Sequence, residues 1–228
     1  MTSSVSAQLK KELNLYGNKI VDKNLAVGPG GNISVRDGEI MWISPSGFAL
    51  NEITDDQWVP VHIPTGEPQH PTLKASSEIA MHLYIYRERS EVHAVVHTHP
   101  PATIAVISSG HDEIPFMFPD HVALVGSVPS IEYVIPCSEE LAQAVVQAIV
   151  PDYPGLLLKN HGLITVGANL KQAYYRTELM EDSAKVYWMA KSIGTPRTLT
   201  REEADAILNL EAEKYRQKLL DNSLNGVK

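Results

Sequence analysis

The chain reads as a mixed α/β fold whose sheet has a strong antiparallel component, and three observations predict it. Asp37-Gly38 joins two short runs of alternating polarity at residues 33–36 and 39–43, a strong short-range signal for a β-hairpin. Asn160-His161-Gly162 separates apolar runs at 156–159 and 163–166, predicting a second strand pair around a tight turn. Stretches with helical periodicity alternate with these strands, so the fold is neither all-β nor a purely parallel sheet.

Taken in order, residues 5–23 carry Leu9, Leu13, Tyr16, Ile20 and Val21 at near-helical spacing and predict an amphipathic first helix. Gly28-Pro29-Gly30-Gly31-Asn32 ends it sharply, and Ser44-Pro45-Ser46-Gly47 is a turn after the hairpin. Residues 58–75 hold four prolines and read as irregular. A helix then starts with Ser76 or Ser77 as N-cap and Glu78 in its first turn, continuing through Ile79 and Leu83. Ala94-Val95-Val96 predicts a buried strand, and 102–107 is a short apolar segment. Further strands are expected at 122–128 and 133–135. Ser138-Glu139-Glu140 opens a helix to about Val150, and another spans about 170–192. Thr200-Arg201-Glu202-Glu203 is a capping box for a last helix toward Leu220.

With 228 residues, 43% of them hydrophobic, the chain suits one large domain with a substantial core. Its net charge of −8, with no dense Lys/Arg cluster, argues against binding nucleic acid or an anionic membrane. The single cysteine, Cys137, excludes an intrachain disulfide and a thiolate metal cluster. The first residues lack a basic segment followed by an apolar one, and no apolar run nears the roughly 18 residues of a membrane span. A cytoplasmic protein is therefore expected.

Histidine, with nine copies, is the compositional feature that leads to chemistry. His97 and His99, at i and i+2, share one face at a strand's end, about 6–7 Å apart along the backbone. Both imidazoles can thus reach one metal ion, although an isolated His-Thr-His reads more simply as two polar residues closing a strand. A metal needs a further ligand, and His161 is a candidate, at a turn where Gly162 leaves backbone room. Three histidines leave an open position on zinc, as in catalytic sites. His121, in Pro119-Asp120-His121, stays open as a further participant, whereas His82 reads as a half-buried mid-helix residue. Glu78 is an acid/base candidate that a helix N-terminus and a nearby metal would hold ionised and that would work best with its pKa shifted toward neutrality, although from the sequence alone an ordinary first-turn glutamate is the favoured reading. Gly31-Asn32, Ser46-Gly47 and Ser76-Ser77 are short neutral groups beside turns or a helix start, able to hold a phosphate without lysine or arginine.

Together these segments resemble the class II aldolase/adducin family, in particular its L-fuculose-1-phosphate aldolase-like members. Gly31-Asn32-Ile33-Ser34, Ser44-Pro45-Ser46-Gly47, Ser76-Ser77-Glu78, His97-Thr98-His99 and Asn160-His161-Gly162 occur in family order, and the resemblance covers about residues 8–218. It implies a three-layer α/β/α sandwich with a mostly antiparallel central sheet, residues 1–228 forming one such domain. It implies one Zn2+ (or another divalent metal) on His97, His99 and His161, with Glu78 as catalytic acid/base and, before substrate displaces it, a fourth ligand. Asn32, Ser46, Gly47, Ser76 and Ser77 match the positions that grip a substrate phosphate. The implied activity is reversible cleavage of a ketose 1-phosphate, fuculose-phosphate-like or a deoxy- or methylthio-ribulose phosphate, to dihydroxyacetone phosphate and an aldehyde. The implied assembly is a homotetramer with interfacial sites. Related members are 4-epimerases, dehydratases and decarboxylases, and adducin itself is a non-catalytic binding module. The aldolases place a tyrosine proton donor after an Ile-Pro segment, but here Ile114-Pro115 leads to Asp120 and His121, so His121 or Asp120 is a candidate for part of that role. Tyr215 is a candidate for the family's C-terminal tyrosine.

Overall fold

The computed structural model of the chain describes residues 2–149 and 153–221. Its strands are β1 (Asn32–Asp37), β2 (Ile40–Ile43), β3 (Val59–His62), β4 (Ala94–Thr98), β5 (Ser130–Ile131), β6 (Gly155–Leu158) and β7 (Gly162–Gly167). They form one seven-stranded sheet in the order β3-β2-β1-β4-β7-β6-β5. Neighbours are antiparallel except β5 and β6, so the sheet is mixed and mostly antiparallel. Both expected hairpins are present. Gly38 takes φ +61° in the first, and Asn160 takes φ +55° in the second, a conformation that asparagine tolerates better than most residues.

The helices are α1 (Thr2–Asp22), α2 (Ile79–Glu88), α3 (Pro101–Ile107), α4 (Pro119–Leu124), α5 (Glu139–Ala148), α6 (Leu170–Ile193), α7 (Arg201–Leu208) and α8 (Glu211–Asp221). Strand alternation sends apolar side chains to both faces of the sheet. Val95, Ile164 and Leu156 pack with Ile85 of α2 and Leu141 and Val145 of α5. Ala94 and Val96 meet Leu13 and Ile20 of α1 and Tyr174 of α6, while Leu157 and Leu163 meet Val106 of α3 and Met180 of α6. Each fully buried Leu or Ile stabilises the fold by about 1.5–3 kcal/mol, which holds β4 and β7 rigidly at the centre.

Several expectations are corrected. β3 lies inside the stretch expected to be irregular; Pro60 is accommodated because β3 is an edge strand, where a missing N–H breaks no essential ladder bond. Residues 119–124 form α4, not a strand: Pro119 pre-sets the first turn, and Gly126 at φ +78° follows its end. No strand forms at 133–135; β5 lies just before, at 130–131. The short apolar segment at 102–107 is helix α3. Ser138 caps α5 as expected, and Val150 lies outside the described residues. The Thr200 capping box is formed, but the last helix is split at Asn209 into α7 and α8. Among the described residues no helix is long and apolar enough to cross a membrane.

Candidate active site and metal centre

The cluster is assembled by pairing register. Asn32 on β1 lies opposite His97 on β4, so both side chains share the face covered by α2. His99 follows just beyond β4, its N–H held by the Leu25 carbonyl at 2.9 Å. The β6–β7 turn delivers His161. Ring centroids lie 4.9 Å apart for His97–His99 and His97–His161, and 5.4 Å for His99–His161. Nε2 of His97 is 3.1 Å from Nε2 of His99 and 3.2 Å from Oε2 of Glu78; Nε2 of His161 is 3.3 Å from Oε1 of Glu78.

One ligand atom from each of these four residues falls within 4.8 Å of all the others. Zinc–nitrogen bonds of about 2.0–2.1 Å place tetrahedral ligand atoms about 3.3 Å apart, so the observed spacings suit such an ion. The donor chemistry fits too. His97 donates its Nδ1–H to the Leu163 carbonyl at 3.1 Å, which turns the Nε2 lone pair into the cluster. Burial first, then His97 and His161, lower the His99 pKa to about 4, leaving a neutral imidazole at pH 7. Imidazole lone pairs facing one another beside a buried carboxylate call for a cation.

Glu78 is not in the first turn of its helix, as expected, but at the N-cap position with its side chain free of the cap. Ser76 Oγ instead accepts from the Glu78 N–H at 3.3 Å. Burial alone would raise the Glu78 carboxyl, but the neighbouring His97 and His161 rings hold it well below the usual carboxylate range. That is opposite to the shift toward neutrality that acid/base work favours. Within the closed cluster Glu78 is an ionised ligand, and proton transfer requires its release.

Glycine makes the convergence possible. A Cβ at Gly162 would lie 2.4 Å from the Thr98 carbonyl oxygen and 2.8 Å from the His99 ring, and one at Gly30 would sit 3.1 Å from His99 Nδ1. Gly162→Ala is expected to destabilise the fold by about 3 kcal/mol and weaken metal retention, read by thermal melting with metal analysis.

Glu78, His99 and His161 line a cavity of about 410 Å³, together with Gly30, Gly31, Asn32, Ser46, Gly47, Ser76 and Ser77, and the fully buried His97 lies behind its wall. A bridge between Pro45 and Ala75, with Ser46 N–H to Lys74 O at 2.9 Å and Ser76 N–H to Ser44 O at 3.0 Å, sets the two serine segments side by side. Among the described lining residues there is no lysine or arginine. Asn32 differs from the serines: it is buried and its amide is engaged, Nδ2 donating to Glu78 Oε2 at 2.9 Å and Oδ1 meeting His82 Nε2 at 2.6 Å.

His82, read as half-buried, is 0% exposed. Burial, followed by His97, lowers its pKa to about 3. The unfolded chain therefore binds a proton near pH 6.5 that the folded chain refuses until about pH 3. Acid thus favours unfolding across that window, by up to about 1.4 kcal/mol per pH unit, and the effect is absent above it. Melting of metal-free protein from pH 7 to 4 should show this loss, and His82→Gln should reduce it, the remainder coming from His99 and His121, whose pKa values burial also lowers to about 4.

Other expected participants lie elsewhere. His121 is 1% exposed, packed edge-on against Phe116 at 4.8 Å with a ring N–H to the Pro115 carbonyl. Asp120 pairs with Arg216 at 3.0 Å, and Tyr215 on α8 is 63% exposed. None of these three lines the cavity. Sequence reasoning missed Pro136 and Cys137, which form its outer wall. Tyr133, three residues before Pro136, is 53% exposed and follows a second X-Pro segment, Val128-Pro129.

The sequence pattern of the Class II Aldolase and Adducin N-terminal domain matches residues 11–188, and the chain belongs to that family. It is 35% identical to the 5-deoxy-D-ribulose 1-phosphate aldolase of Bacillus thuringiensis serovar kurstaki, over 86% of this chain and 92% of that one. It is 32% identical to an L-fuculose phosphate aldolase of Methanococcus maripaludis, over 76% of this chain and 93% of that one. A solved L-fuculose 1-phosphate aldolase superposes with a TM-score of 0.82 at 31% identity, covering 92% of this chain and 96% of that one. The chain is an enzyme of class II aldolase type, and its histidine–glutamate cluster is a candidate metal centre.

Proposed function

We propose that the chain is a zinc-dependent aldolase that reversibly cleaves a ketose 1-phosphate into dihydroxyacetone phosphate and a small aldehyde. The observation that carries this reading is the convergence of His97, His99, His161 and Glu78 on a cavity with a neutral hydroxyl cradle. His97, His99 and His161 would hold the ion, one per chain, zinc or another divalent metal. When bound, it supplies Lewis-acid stabilisation of the negative charge that cleavage places on the carbonyl oxygen. Ser46, Gly47, Ser76 and Ser77 hold the phosphate, fixing the sugar in register so that part of the rate comes from positioning. Asn32, its amide engaged by Glu78 and His82, contributes through Glu78 rather than by contact with the phosphate. Glu78 moves the proton at the carbon that becomes C3 of dihydroxyacetone phosphate.

The proton on the substrate's C4 hydroxyl falls to a second group. We assign it to Tyr133, exposed on the loop that leads to the cavity-lining Pro136 and Cys137, whereas His121 packs against Phe116 and Tyr215 lies on α8. Tyr133→Phe should lower cleavage about 10²-fold while leaving proton exchange at C3 of dihydroxyacetone phosphate near its original rate. An unchanged cleavage rate would remove the assignment.

We further propose one three-layer α/β/α domain over residues 1–228, which the two-faced core supports, working in the cytoplasm as a homotetramer with interfacial sites. The exposed Trp188, Met189 and Ile193 near the end of α6 support association, and sedimentation at one chain's mass would overturn it. A panel of ketose phosphates assayed for dihydroxyacetone phosphate tests the activity. Production from a 1-phosphate and not from the unphosphorylated sugar is expected. An epimer, a dehydrated product or CO2 instead would overturn it.

A further inference from the structure

A buried polar chain runs behind the cluster, away from the cavity. Glu78, His82 and Tyr86 recur at four-residue steps along one stripe of α2, and Asn32 and Ser34 alternate onto the facing side of β1. Asn32 Nδ2 lies 2.9 Å from Glu78 Oε2, and Asn32 Oδ1 lies 2.6 Å from His82 Nε2. His82 Nδ1 is 2.7 Å from Ser34 Oγ, which is 2.8 Å from the Tyr86 hydroxyl. Asn32, Ser34, His82 and Tyr86 are all buried.

The direction of every proton in this chain follows from its ends. A carboxylate accepts only, so Asn32 must turn its NH2 toward Glu78 and its carbonyl toward His82. An amide oxygen also accepts only, so His82 must carry its proton on Nε2. Neutral His82 then accepts at Nδ1 from the Ser34 hydroxyl, which in turn accepts from Tyr86. Each donor points toward Glu78. Had His82 taken the other tautomer, Asn32 would be free to turn its oxygen onto the carboxylate, and the contact would become repulsive.

We propose that His82 is a positioning residue: acting through Asn32, it orients the Glu78 carboxylate toward His97 and His161. The inference rests on the reading of Glu78 as metal ligand and acid/base group. It gives Asn32 a duty distinct from phosphate binding and explains a fully buried histidine that touches no ligand directly. Such outer partners are expected to affect activity strongly where they fix the geometry of an inner group.

The test compares His82→Leu, His82→Gln, Asn32→Ala and the His82→Leu/Asn32→Ala double variant with the unaltered protein, after circular dichroism has confirmed folding. Two readouts are taken: kcat and KM for cleavage of a ketose 1-phosphate, and the visible spectrum of the Co2+-loaded protein, which reports ligand geometry. His82→Leu should lower kcat about tenfold, with KM changed less than about twofold, and should alter the Co2+ spectrum. Glutamine, whose amide can reach the Nε2 position, should restore both. The double variant should be no worse than Asn32→Ala, because His82 acts through that residue. Additive losses, glutamine as harmful as leucine, or an unaltered Co2+ spectrum would each overturn the proposal. If His82→Leu does not fold, His82→Asn takes its place; its shorter amide reaches only the Nδ1 position, so equal activity of Asn and Gln variants overturns the proposal. Should the unaltered protein cleave no ketose phosphate, the functional reading falls, while the Co2+ spectra still decide the role of His82.

Discussion

His99→Ala is expected to weaken divalent-metal binding, so that dialysed protein holds well under one ion per chain, and to lower turnover by at least about a thousandfold. His99 is the best ligand to remove. It lies just beyond the end of β4 and is only half-buried, whereas His97 is fully buried within the strand and its loss would open a hole in the core. Its neutral imidazole faces Nε2 of His97 at 3.1 Å, so truncation leaves two imidazoles and a carboxylate. Because substrate displaces that carboxylate, the working site would keep only two imidazoles, one fewer than the three protein ligands usual on catalytic zinc. Loss of the ion should also lower apparent melting temperature in metal-containing buffer, because a ligand that binds only the folded state stabilises it by mass action. The same variant in chelator should melt close to the chelated unaltered protein. Retention of a full metal complement together with undiminished turnover would move the centre elsewhere. Partial rescue by free imidazole, filling the space of the lost ring, would localise the defect to this ligand.

How far this site could be read from the sequence depends on the range of the interactions that build it. His97 and His99 were legible because two-residue spacing on a strand fixes a common face, and His161 because a turn with Gly162 leaves room for a ring. The hairpin at Asp37-Gly38 and the capping box at Thr200 are likewise local devices, and both formed as expected. What sequence spacing could not give is register across strands. The pairing of Asn32 with His97 makes Asn32 a neighbour of Glu78 and His82, and no pattern within β1 states it. Burial misled in the other direction: residues 122–128 look like a strand, but their apolar side chains face other helices, and Pro119 had already set a helical first turn. Pro60 gave a correct signal that was over-read, since proline excludes a central strand but not an edge one. The far side of the cavity was hardest, because Pro136 and Cys137 sit on a loop with no periodicity to read.

Glu78→Gln should separate holding the metal from moving the proton. Glutamine keeps the length of the side chain and an oxygen for Asn32 Nδ2, now 2.9 Å from Oε2, but cannot take up a proton at useful pH. Metal content should stay near one per chain, because His97, His99 and His161 remain. Cleavage should fall by about 10²–10⁴, the usual worth of a positioned general base. The decisive measurement is exchange of the C3 proton of dihydroxyacetone phosphate with solvent, which needs neither the aldehyde nor C–C bond chemistry. Exchange should fall in parallel with cleavage. The resting site makes this outcome informative: its imidazoles hold the Glu78 carboxyl well below the ordinary range, so the group is a poor base until substrate draws it away from His97 and His161. Loss of both metal and activity would reduce Glu78 to a structural ligand, and exchange at an undiminished rate would transfer the proton to another group.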